Sequence, residues 1–295
     1  MRRSALQAYA VPLLCGIAGL FVSPQGGVDL VLFPRYHLTL DGTLFLNQNT
    51  PFQKTRYLIE SRSDLVMGML AFGEHLVWYN RVDVTYGMGR TPGNVVFDPM
   101  DLVFNLSPFL ELRLLPVVLR TGIDHVCYHE IDRKDFATVY WNRPFVAVET
   151  PNARSTEYLR GVTGSGFSGG AGRLAASFSG GYFLKRFFGL VEPRKLNDNN
   201  NRILQGEGWV RYAVLVNREV VLVGYLETLA GLWRPPGEKR TLYWAQQTGI
   251  ELYLLRSRQG ALFYGTLTLD AMPPYYGQPR FSKHKMLRMG IRLFQ

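Results

Sequence analysis

Apolar and polar residues alternate with a period of two along most of this chain. Between Leu76 and Gly89, Trp78, Val82, Val84, Tyr86 and Met88 share one parity, while Arg81, Asp83, Thr85 and Gly87 share the other. A strand points successive side chains to opposite faces, so such a segment has one greasy face and one wet face. Similar segments are predicted at 36–47, 55–72, 103–115, 117–128, 136–149, 155–163, 174–185, 208–216, 219–232, 242–255 and 261–272, with a closing strand over 285–295. Turn chemistry separates them. Arg90-Thr-Pro-Gly-Asn94 and a loop containing Pro99 follow the 76–89 strand, 216–219 and 256–260 are short turns, and 190–205 is a long polar loop.

The closing segment sets Leu287, Met289, Ile291 and Leu293 against Arg288, Gly290 and Arg292, with Phe294 beside the end. A chain ending on such a strand resembles bacterial outer-membrane β-barrels, whose last strand serves as the assembly signal. The opposite end agrees. Met1-Arg2-Arg3 precedes an apolar run from Ala5 to Val22 broken by Pro12 and glycines, which reads as a secretory signal. The expected organisation is a signal peptide over residues 1–27 and a barrel over 28–295. The fold class is all-β: a closed antiparallel transmembrane barrel. The strands tally to twelve or thirteen, and because bacterial barrels favour even numbers the prediction is twelve. A spanning sheet cannot leave its edges unpaired in hydrocarbon, so it closes.

Composition sharpens this picture. Aromatics make up 13% of the chain, charged residues only 19%, and mean hydropathy is −0.03. A soluble sheet protein hides its apolar face inside, whereas a barrel shows it to lipid and keeps the polar face in its lumen. The net charge of +10 points either to anionic lipid and lipopolysaccharide or to lumen arginines paired with lumen acids, and not to nucleic acid. Arg211, Glu227 and Glu251 fall in strands where such a network would form, leaving a plugged or narrow lumen. With Cys15 in the signal, Cys127 has no disulfide partner. Gly164-Ser-Gly-Phe-Ser-Gly169 spells a dinucleotide fingerprint but lacks the strand–helix context, and reads as a glycine-rich loop.

One stretch carries chemistry: Arg120 to Asp132, with Tyr140-Trp-Asn-Arg143 after it. Parity puts Ile123, His125 and Cys127 on the greasy face and Arg120, Gly122 and Asp124 on the other; Asn142 shares a face with Val146 and Val148. His125-x-Cys127 and Trp141-Asn142-Arg143 resemble the outer-membrane phospholipase A family, a twelve-stranded barrel with a lipid-facing Asn–His–Ser triad. In that family His-x-Ser-Asn-Gly lies in one strand and Trp-Asn-Arg in the next. The resemblance implies His125 as general base, Cys127 as nucleophile and Asn142 as the residue that orients the imidazole. Tyr128 and His129 stand where that family has Asn-Gly, which bears on the oxyanion hole. Hydrocarbon solvates a thiolate poorly, so activation rests on His125. The stretch from His125 to Asp132 also resembles an uncharacterised exported barrel family with a His-x-Ser-Ser-His stretch, which implies the barrel and no activity.

Two further readings remain. The plain one is a non-enzymatic barrel serving as a structural protein, a narrow channel or a partner-binding subunit. Cys127 is then a small lipid-facing residue, and Tyr140 and Trp141 belong to the aromatic girdle. The other is a metal site. His125 and His129 lie ~13 Å apart on an extended strand, too far for one ion, whereas Glu130, Asp132 and Asp135 would take calcium at a loop. No cofactor is required by any of these readings. The expected location is the bacterial outer membrane. The expected partners are its phospholipid and lipopolysaccharide, the barrel-assembly machinery and a second copy in a homodimer.

Overall fold

The computed structural model describes residues 30–47, 58–90, 96–131, 139–153, 170–184, 202–217, 219–234, 239–254, 261–271 and 285–294. They form β1 (Leu30–Leu32), β2 (Tyr36–Asn47), β3 (Ile59–Phe72), β4 (Leu76–Arg90), β5 (Val96–Leu114), β6 (Val117–Glu130) and β7 (Val139–Glu149). A 3-10 turn at Gly170–Arg173 leads into β8 (Leu174–Tyr182), β9 (Arg202–Val216), β10 (Val220–Trp233), β11 (Thr241–Leu254), β12 (Ala261–Ala271) and β13 (Lys285–Phe294). From β2 onward every strand pairs antiparallel with its neighbour in sequence, and β13 pairs back onto β2. The sheet has thirteen strands, but β1 pairs with β3 just beyond the end of β2. It is therefore the continuation of β2 across Phe33-Pro34-Arg35, and the ring is twelve-stranded.

That break has a local cause. Phe33 takes a left-handed φ of 48°, and Pro34 has no N–H to give the ladder. Gly68 accommodates the bend: a Cβ there would press on the Pro34 ring at 3.0 Å and the Arg35 carbonyl at 3.1 Å.

Parity sorts the two surfaces as expected. Leu40, Leu44, Trp78, Val82, Val146, Val148, Phe178, Tyr212, Ile250 and Ile291 are exposed on the outside, a surface that only lipid can cover favourably. Arg62, Arg81, Asp83, Asp124, Arg143, Glu149 and Glu251 turn inward, where they pair. At one end the connections Gly73–His75, Leu115–Pro116 and 217–219 are short, and the one from β7 to β8 spans 150–173. The connections at the other end run through 48–57, 131–138, 185–201 and 272–284. Short turns mark the periplasmic end and long loops the extracellular end of such barrels.

The lumen is filled in layers. At the turn end two apolar clusters close it: Val66, Ala71, Val77, Tyr79 and Phe109 on one side, and Ala175, Ala213, Val221, Val223 and Tyr253 on the other. Near the loop end Tyr128, Trp141 and Phe183 pack together under the guanidinium of Arg202, which lies 4.9 Å from the Trp141 ring. Between these layers lies a polar cavity of about 430 Å³ lined by ion pairs. The Arg211–Glu251 pairing expected from the sequence is there at 3.1 Å, and Arg292 joins it at 3.2 Å. Glu227 lines the same cavity.

Several expectations are corrected. Pro99 is not in a loop but inside β5, at a register shift opposite Met88 that tolerates its missing donor. β9 begins at Arg202, so the polar loop ends earlier than its composition suggests. Trp141 is not a girdle residue: it is 9% exposed and points into the lumen. The segment 155–163 and the glycine-rich 164–169 lie outside the described residues. β7 and β8 pair directly with each other, so the twelve-strand ring needs no strand between them. The signal segment also lies outside.

Candidate active site

β6 and β7 are adjacent, and their register sets His125 directly opposite Asn142 on the outer face. The next pair along is Asp124 opposite Arg143, on the lumen face. On the other flank of β6, Cys127 faces Phe104 and His125 faces Leu106. Leu106, Val146 and Val148 are exposed and share this face, so the site looks toward lipid.

The three side chains form a chain of contacts. Cys127 Sγ lies 3.2 Å from His125 Nε2, and His125 Nδ1 lies 2.6 Å from Asn142 Oδ1. An amide oxygen only accepts, so Nδ1–H donates to it. In the neutral ring that leaves the Nε2 lone pair directed at the thiol, the state a general base needs. Asn142 is buried and Cys127 half-buried. The ten residue steps of β6 from Val117 to Cys127 rise about 25 Å at the usual strand tilt, which places the sulfur at the outer edge of an apolar band of similar height. Ester groups of a phospholipid sit at that depth.

The lumen side holds this register. Arg143 Nη2 donates to Asp124 Oδ2 at 2.6 Å and also to Glu207, and its Nε donates to Asp124 at 3.1 Å. Ser107 Oγ donates to the other Asp124 oxygen at 2.6 Å. Parity had placed Arg143 and Asp124 inside. Ser107 and Glu207 carried no comparable signal: Ser107 comes from β5, the other ladder neighbour of β6, and Glu207 from β9, which lies beyond β8.

β6 continues through Tyr128 and His129 to Glu130. Tyr128 is buried in the lumen cluster, and the His129 ring meets the Phe104 ring edge-on at 5.8 Å. A strand flanked by partners on both sides commits its N–H groups to the ladder, so an oxyanion at Cys127 needs donors from beyond β6. Of the expected calcium ligands, Glu130 lies at the end of β6, opposite Asp101, while Asp132 and Asp135 fall outside the described residues. Among the described residues no three acidic, His or Cys side chains are grouped to hold an ion.

No protein-family model matches the chain, and no curated protein matches it in sequence. Solved structures do. The outer membrane phospholipase A of Escherichia coli superposes with a TM-score of 0.50 at 11% identity, over 90% of this chain and 94% of that one. The calcium-bound dimer of the outer membrane phospholipase of Salmonella typhi gives 0.51 at 12% identity, over 90% and 92%. The fold is that of an outer-membrane barrel. An identity this low carries the architecture and the location, the bacterial outer membrane, and leaves activity to the site itself.

Proposed function

We propose that this barrel is a phospholipid acyl hydrolase with Cys127 as nucleophile, His125 as general base and Asn142 as the group that orients it. The observation that supports the reading most is the unbroken contact from sulfur to imidazole to amide on a lipid-facing surface. His125 Nε2 takes the thiol proton as sulfur attacks an ester carbonyl. The protonated ring then returns that proton to the departing glycerol oxygen, releasing a lysophospholipid and leaving an acyl thioester. Asn142 keeps Nδ1–H engaged throughout. Water activated by His125 would complete hydrolysis.

Two further points favour this reading. An active-site mutant of the Escherichia coli phospholipase, with an asparagine changed to alanine, also superposes, so an asparagine belongs to the active site of that protein. The Salmonella typhi protein is a calcium-bound dimer; calcium through Glu130, Asp132 and Asp135, and dimerisation of this chain, are parts of the proposal that belong with that similarity. A transport role has less support, because apolar clusters and ion pairs occupy the lumen. The test is fatty-acid release from mixed micelles by the purified chain, with and without calcium. Release that disappears in Cys127→Ala is expected. No release from folded protein under any of these conditions would leave only the barrel.

A further inference from the structure

The element at the nucleophile position is sulfur, and its setting bears on what happens after acylation. Thioesters and oxygen esters differ little toward water, but thioesters yield far more readily to amines, because sulfur donates little electron density to the carbonyl and leaves easily. An acyl group on Cys127 would sit half-buried at the lipid boundary, beside Phe104 and Leu106, where headgroup amines compete with interfacial water. What is abundant at that depth is lipid headgroup. Along β6 the face carries His125, Cys127 and His129 in succession, so an imidazole lies on each side of the sulfur. His129 is held edge-on against Phe104, the residue directly opposite Cys127. An ammonium approaching the thioester must lose a proton before it can attack, and these rings are the bases that face it.

We propose that the site transfers the acyl group to the primary amine of an aminophospholipid headgroup in preference to water. This rests on the acyl-enzyme reading above and extends its second half. In the first step the S–C bond forms and the ester C–O bond breaks, the thiol proton passing through His125 to the lysophospholipid hydroxyl. In the second step the neutral amine attacks the thioester carbonyl, a C–N bond forms, the C–S bond breaks, and the amine proton returns to sulfur through imidazole. The products are an N-acylated headgroup and free thiol, with no oxidant or reductant involved.

The test uses the full chain folded into phosphatidylcholine vesicles with isotope-labelled acyl chains, with phosphatidylethanolamine present or omitted, and a further arm with soluble ethanolamine instead. Mass spectrometry reads three things: acyl mass on Cys127, labelled fatty acid, and labelled amide. The expected result is a thioester on Cys127, with amide on phosphatidylethanolamine exceeding fatty acid by about tenfold, a partition worth about 1.4 kcal/mol. Cys127→Ser, which would form an oxygen ester, should reverse that ratio. A thioester that yields fatty acid alone, whatever amine is present, would overturn the transfer while leaving the hydrolase intact. Acylation of soluble ethanolamine but not of the headgroup would overturn the lipid acceptor. If no acyl mass ever appears on Cys127 in a barrel that is folded, the nucleophile assignment itself is lost.

Discussion

Arg143 offers the most direct test of how the lumen holds the outer-face site. The residue is 7% exposed and its guanidinium makes three charged hydrogen bonds, two to Asp124 and one to Glu207. Among the described residues, Arg143→Met would leave Asp124, also 7% exposed, with the Ser107 hydroxyl, and Glu207 with that of Ser179 at 3.0 Å. Removing one member of a buried pair costs about 3–5 kcal/mol, mostly because its partner stays charged and unpaired. Glu207 opens onto the polar cavity and is 36% exposed, so water softens its share and the estimate falls to about 3 kcal/mol. The measurement is urea unfolding of the barrel in vesicles, followed by tryptophan emission. Asp124→Asn should rescue the variant in part. A double-mutant cycle should give a coupling of about 2 kcal/mol between the two positions. Because Asp124–Arg143 is the pair adjacent to His125–Asn142, alkylation of Cys127 by a lipid-soluble maleimide should also slow. A variant as stable as the parent to within about 0.5 kcal/mol, or a cycle without coupling, would refute the idea that this ion pair holds the hairpin.

Other consequences follow from the same geometry. His125→Ala should lower acyl-enzyme formation by about 10²- to 10⁴-fold with the urea midpoint unchanged, and equal loss of folding would expose a structural role instead. Gly122→Ala should destabilise the barrel by about 1–3 kcal/mol, since its Cβ would overlap the Pro108 carbonyl and Phe109. Gly42→Ala, with no atom within 4 Å of the added carbon, should be nearly silent in the same assay. Planar-bilayer recordings should show no sustained conductance, because apolar clusters close the turn end and aromatic rings crowd the loop end. A stable open level would contradict the packing of that lumen.

The alternation of side chains was enough to sort the two faces of nearly every strand, since parity is a local property that no distant contact can change without breaking the strand. It placed Arg143 and Asp124 inward and His125, Cys127 and Asn142 outward, and with the closing segment it indicated the membrane. It could not tell that Pro99 fits inside β5, or that the Trp141 ring, on the same face as Arg143, would lie under Arg202. Those depend on which strand lies beside which. Nor could it set the register between β6 and β7. His125 and Asn142 are 17 residues apart, and a slip of two would keep both outward while moving them about 7 Å past each other. The contact that makes a triad of three outward residues was decided by the assembled barrel. Ladder pairing on both flanks and the Asp124–Arg143 pair beneath permit a single alignment, and Arg292 meeting Asp41 across 251 residues closes the ring that holds it.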